Sequence, residues 1–196
     1  MDWQLKFAYA LPSSLTWTVE EFHFLGDLGM FEGRRAMVID GVLVEEGPMN
    51  PPHAIAATKT ADAIRDTFGK GHHVRVAKPL VLSPKTDPEP DVAVVPGKPS
   101  DYTDHSTTAL LVVEVSDSSL RYDTSTKLSL CAAGGIADYW VVDVTGRQLL
   151  VFRDPVPDAT QPHGHGYATR LTFGPADTVS PLAAPNGVVR VADLLP

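Results

Sequence analysis

The chain has 196 residues, 43% hydrophobic and 20% charged, so a single domain with a sizeable core is expected rather than a disordered chain. Sixteen Lys and Arg against 24 Asp and Glu leave a net charge of -8, which excludes a protein coated in basic charge but leaves room for a local basic groove. The lone cysteine, Cys131, excludes an intramolecular disulfide framework and fits a reducing, cytoplasmic setting. No apolar run has the length of a membrane helix, and the start MDWQLKFAYALPSS lacks the basic-then-apolar pattern of a secretory signal.

Thr18 opens the first element. Its hydroxyl can cap a helix, and Glu21 stands at the capping-box spacing, so a helix is expected over residues 19–28, ending near Gly29. Residues 35–45 (RAMVIDGVLVE) read as two short strands about the turn pair Asp40-Gly41. After the Pro-rich GPMNPPH, a helix is expected over residues 53–68. There Ala57, Ala61, Ile64 and Phe68 form one apolar stripe, and Gly69 and Gly71 end it. Residues 73–82 and 92–95 read as strands, separated by the stiff acidic turn SPKTDPEPD. LLVVEV, over residues 110–115, opens without polar alternation, so it is expected in the middle of a mixed sheet with both faces covered. A helix over residues 124–133 follows, ending at Gly134-Gly135. Strands at 139–144 and 148–152 form a hairpin about Thr145-Gly146. From Asp154 the chain reads as a loop-rich β extension with strands near 168–173 and 188–191. The sum is one α/β domain over residues 1–196, a central mixed β-sheet flanked by helices.

Glu114 is the most informative residue. An ionised carboxylate beside a dry aliphatic strand is unfavourable by several kcal/mol unless compensated. A bound cation, a Lys or Arg partner, or exposure at the strand end would each serve. Asp91, in Pro90-Asp91-Val92, heads a short apolar strand; if the two strands are neighbours, both carboxylates converge at one end of the sheet. Two carboxylates, a main-chain carbonyl and waters make a hard-oxygen site suited to Mg²⁺ or Mn²⁺. Lys127 follows Glu114 on the next helix, four residues after Asp123 and on the same helical face. It reads either as a surface Asp–Lys pair or as an ammonium aimed at the carboxylates. His53, directly after Pro51-Pro52, is either a capping histidine or one facing an anionic ligand. Cys131, beside alanines, reads as packing. No P-loop, dinucleotide fingerprint or nucleophile elbow is present. Lys59, Arg65, Lys70, Arg75, Lys78 and Lys85 either form a nucleic-acid groove or are scattered over a solvated face.

Taken in series, GRRAMVIDGVLVEE, NPPHAIAA, PEPDVAVVP and VVEVSDSSLRYDTSTKLSLCAAGGIADYWVVD resemble the Uma-type putative restriction endonuclease family of the PD-(D/E)XK nuclease superfamily, over about residues 16–152. The resemblance implies a restriction-endonuclease-like core with a divalent metal at the sheet's edge. By position, Asp91 matches the Asp of the Pro-Asp pair and Glu114 the acid of the (D/E)XK element. Ser116 stands at the usual Lys position, with the basic role moved to Lys127; His53 matches a family histidine. The implied metal ligands are Asp91, Glu114 and the carbonyl of Val115. The implied catalytic set is Lys127, Glu114, Asp91 and His53. Where the family reads Glu-Leu-Ile-Asp-Gly, this chain reads Met37-Val38-Ile39-Asp40-Gly41, and a thioether replaces no carboxylate; Glu45 or Glu46 are the nearby acids. The expected function is a Mg²⁺- or Mn²⁺-dependent endonuclease acting on nucleic acid, most plainly DNA, in a homodimer. The alternatives are a catalytically impaired binding module on the same fold and a hydrolase of small phosphate esters.

Overall fold

The computed structural model describes residues 14–196, so the N-terminal stretch weighed above as a signal lies outside it but for Ser14. Thr18 caps α1 (Val19–Asp27) with the full capping box: its hydroxyl accepts from the Glu21 N–H, and the Glu21 carboxylate accepts from the Thr18 N–H. β1 (Ala36–Ile39) and β2 (Val42–Glu45) pair antiparallel as a separate two-stranded sheet. Asp40 and Gly41 at its tip both have positive φ, and a Cβ on Gly41 would lie 2.5 Å from that of Thr16. α2 (Pro51–Phe68) begins two residues before the expected helix. The Asn50 side chain caps it by accepting from the His53 N–H, and prolines fill first-turn positions where a missing N–H costs little.

β3 (His72–Val76) is shorter than expected, because Ala77 takes a positive φ that breaks the extended run. β4 (Val92–Pro96) and β5 (Leu111–Ser116) follow. The helix expected over residues 124–133 is α4 (Thr126–Ala133), and a single helical turn that was not expected, α3 (Leu120–Asp123), precedes it. Between them the Thr124 hydroxyl joins its own N–H on the Leu120 carbonyl, whereas the Ser125 hydroxyl takes the Arg121 carbonyl and the Ser125 N–H turns to Tyr122. β6 (Asp138–Asp143), β7 (Gln148–Pro157) and β8 (His165–Phe173) complete the main sheet, and β9 (Thr178–Val179) pairs with β10 (Val189–Arg190). The tail is thus more regular than its loop-rich reading. β7 runs on to Pro157, β8 pairs along it, and Val189, Val191, Leu194 and Leu195 join the core.

The main sheet has the order β3-β4-β5-β6-β7-β8, antiparallel except between β5 and β6. It is the mixed sheet with helices on both faces that the pattern predicts. β5 lies inside it with all six residues buried. Its Leu111, Val113 and Val115 face α2 and the C-terminal segment, together with Trp140 and Val142. Val112 faces α4, with Tyr139 and Val141. Strand alternation therefore turns Glu114 toward α4 and not toward the apolar stripe of α2.

Asp138 ties the tail to this sheet. Fully buried, it accepts from Trp140 Nε1, Arg153 Nε and the Leu182 N–H at 2.7–2.8 Å. Replacing Asp138 by Ala strands the Arg153 guanidinium and two further donors. Urea denaturation is expected to show a loss of about 3–5 kcal/mol.

Candidate active site

β4 stops pairing with β5 at Val92–Val113, while β5 runs on through Glu114, Val115 and Ser116 with only β6 beside it. Asp91 fills the vacated edge. Its Oδ2 accepts from the Val115 N–H at 2.8 Å, and its Oδ1 lies 3.0 Å from His53 Nε2. A residue's N–H and C=O share one edge of an extended strand, so the Val115 carbonyl lies on the Asp91 side. His53 sits in the first turn of α2, brought there by the Asn50 cap. Its hydrogen bond to Asp91 raises the imidazole above its ordinary pKa, against the effect of burial.

On the other side of Glu114 stands Lys127 of α4. Its Nζ lies 3.1 Å from Glu114, 3.0 Å from Glu46 and 3.8 Å from Asp123. It also lies 5.9 Å from the centre of the Tyr122 ring. Asp123 is buried and accepts from the hydroxyls of Ser116 and Ser119. Asp123 and Lys127 thus meet across the break between α3 and α4 rather than along one continuous helical face. Burial pushes the Glu114 carboxyl well above the usual carboxylate range; Lys127 opposes this, and the charges of Asp91 and Asp123 reinforce it. Burial by itself would lower Lys127, but Glu114, Glu46 and Asp123 outweigh it and hold the ammonium well above its ordinary value. The surplus of carboxylates over cations adds to the effect of burial on Glu114 and overcomes it on Lys127.

The β1–β2 hairpin closes the pocket. Met37 is buried and lines it, and Glu46, one residue past β2, reaches in and also pairs with Arg35 at 2.9 Å. Glu45 points the other way, to the exposed Arg34. The resulting cavity, about 420 Å³, is lined by Met37, Glu46, His53, Asp91, Glu114, Tyr122 and Lys127. At its mouth Asn50 Nδ2 donates to Asp117 Oδ2 at 2.6 Å, joining the loop before α2 to the loop after β5.

His53, Asp91, Glu114, Val115 and Lys127, all singled out in the sequence, therefore line one cavity. Arg35, Glu46 and Asp123 complete the charge network; Glu46 was one of two nearby acids, and strand alternation from Val44 would have picked it. Four of the six basic residues are engaged locally instead of lining a groove. Arg75 is buried and donates to the Pro79 carbonyl, Lys59 donates to the Leu195 carbonyl, Arg65 pairs with Asp62 and Lys85 donates to Thr16. Cys131 is buried on α4. Among the described residues no group of three His, Cys, Asp or Glu side chains stands ready-made for a metal, and no helix is long and apolar enough to cross a membrane.

The chain matches a family described as Uma2, putative restriction endonuclease, over residues 19–192. Among solved structures it is similar to the crystal structure of a putative nuclease belonging to DUF820 from Anabaena variabilis. Identity is 14%, coverage is 90% of this chain and 96% of that one, and the TM-score is 0.68. A search of curated proteins found no match. The structural likeness shows a shared fold. The family match extends well past residue 152, into the tail.

Lys127 is the one ammonium among three buried or half-buried acids. Its replacement by Met leaves those charges uncompensated, and chemical denaturation is expected to show a loss of about 3–5 kcal/mol.

Proposed function

The chain belongs to the Uma2 family of putative restriction endonucleases, and on that footing we propose that its acidic pocket hydrolyses nucleic-acid phosphodiester bonds with the help of Mg²⁺ or Mn²⁺. The observation that carries the reading is the convergence of Asp91, Glu114 and Lys127, with His53, in one cavity at the end of the main sheet. Restriction-endonuclease-like families generally use a divalent metal, and this pocket fits one chemically. Its donors are hard oxygens, and four carboxylates (Glu46, Asp91, Glu114, Asp123) face two permanent cations (Arg35, Lys127). Asp91, Glu114 and the Val115 carbonyl would hold the ion. When bound it would polarise the scissile phosphate and lower the pKa of an attached water.

The protein's own groups supply the rest. The Val115 N–H and His53 hold Asp91 in one orientation, so its carboxylate needs little rearrangement on binding. Lys127 presents a fixed positive charge to the cavity, where it would steady a water or the charge developing on phosphorus. His53 would contact a phosphate oxygen or carry a proton between its ring and the Asp91 side of the cavity. A homodimer, with two such sites for two strands, is part of this proposal.

One observation favours a second reading, a binding module on the same fold with impaired catalysis. Met37 puts an uncharged thioether on the pocket wall, and Asp91 and Glu114 each already have a basic neighbour.

Cleavage of single- and double-stranded DNA and of RNA, with Mg²⁺ and with Mn²⁺, separates the two. The nuclease reading expects metal-dependent cutting by the wild type and a loss of about a hundredfold or more in Glu114→Gln. Wild type and variant equally inert with both metals would defeat it. Calorimetric Mn²⁺ binding that vanishes in Asp91→Asn would then still mark a live cation site, and its absence in the wild type a dead one.

A further inference from the structure

We infer that Glu46 is a positioning residue for Lys127, the carboxylate that fixes the ammonium at the cavity wall from the solvent side; its catalytic meaning rests on the nuclease reading above. A lysine ammonium has three N–H donors, and Nζ of Lys127 has three carboxylate neighbours, Glu46 at 3.0 Å, Glu114 at 3.1 Å and Asp123 at 3.8 Å. Two of them are held from within the core. Glu114 is fixed by the central strand, and Asp123 by the hydroxyls of Ser116 and Ser119. Glu46 approaches from the opposite wall, on the separate β1–β2 sheet, and makes the shortest contact.

Glu46 is itself held in place. Its N–H donates to the Arg35 carbonyl, and its carboxylate pairs with the Arg35 guanidinium, each at 2.9 Å. Its side chain is 25% exposed, against 3% for Glu114 and for Asp123, so it covers Nζ from the solvent side. Met37, paired with Val44 across the hairpin, lines the same cavity two strand positions from Glu46. Its thioether offers no charge. The hairpin therefore brings one acid to Lys127, and it does so from position 46. Without that acid the ammonium keeps its hydrogen bond to Glu114 and only the more distant charge of Asp123, and the four-carbon side chain loses its outer restraint.

The exchange of the Lys127 ammonium protons with water, followed by nitrogen-15 NMR in the metal-free protein and assigned by its loss in Lys127→Arg, reads this contact directly. Glu46→Gln, nearly isosteric and checked for folding by circular dichroism, keeps only a weaker neutral acceptor and is expected to exchange severalfold faster. The double variant Met37→Glu with Glu46→Gln, which offers an acid from the neighbouring strand, is expected to recover slow exchange. In cleavage assays Glu46→Gln is expected to lower kcat with KM little changed, and the double variant to restore it in part. Exchange unchanged in Glu46→Gln, or no recovery in the double variant, overturns the assignment. The NMR readout does not depend on activity. A wild type that cuts nothing but shows the expected exchange refutes the nuclease reading alone, whereas one that cuts but shows unchanged exchange in Glu46→Gln refutes this inference alone.

Discussion

Negative charge in a dry place is the constraint around which this molecule is built. Glu114 sits in the central strand, 2% exposed, with Asp91, Asp123 and Glu46 in the same pocket. Desolvating a carboxylate costs several kcal/mol, and bringing others near adds repulsion. Lys127 and Arg35 answer only part of that charge, which is why burial holds the Glu114 carboxyl so far above its ordinary range. A protein selected for stability alone would be better served by an aliphatic residue at that position, since apolar replacements of buried ion pairs are often neutral or stabilising. A retained deficit of positive charge is what a site that takes up a cation requires.

The fold creates this pocket by ending one strand early. β4 leaves β5 after Val113, and the exposed edge of β5 is satisfied by Asp91 rather than by another strand. Three further elements then aim side chains at the same gap. The cap of α2 places His53, the interrupted helix α3–α4 places Asp123 and Lys127 at the right separation, and the hairpin supplies the outer wall. Ser116 and Ser119 fix the Asp123 carboxylate at the end of α3, and the Ser125 hydroxyl holds the Arg121 carbonyl where the ladder stops.

Much of this was legible in the residues, and for identifiable reasons. Glu114 stands out because a charge following four aliphatics breaks the pattern of a buried strand, and Asp91 becomes meaningful only beside it. The capping box of α1, the stripe of α2 and the turn at Asp40-Gly41 follow from local rules, and the structure has all three. Position 46 was harder to read. Two consecutive glutamates at a strand end look like solvent-exposed charge, and only alternation from Val44 separates the one facing in from the one facing out. The turn α3 was not expected because four residues are too few for apolar periodicity to register, and the Thr and Ser hydrogen bonds that separate it from α4 show only in three dimensions. The strand expected near 188–191 is β10, but the rest of the C-terminal segment was underestimated because β9 is two residues long, too short for periodicity to register, although Val191, Leu194 and Leu195 pack under α2.

The basic residues carry a related lesson. Spacing along α2 and β3 suggests a cationic stripe, yet burial and local acceptors claim most of its members, so the proposed nuclease reading rests on the pocket and a cation held there rather than on a charged surface. That makes the cation the central claim. Anomalous diffraction from crystals soaked in Mn²⁺ tests it most directly. One peak is expected within coordination distance of carboxylate oxygens from both Asp91 and Glu114. A pocket without a peak at saturating Mn²⁺, with His53 and Lys127 still paired to those two acids, would contradict it.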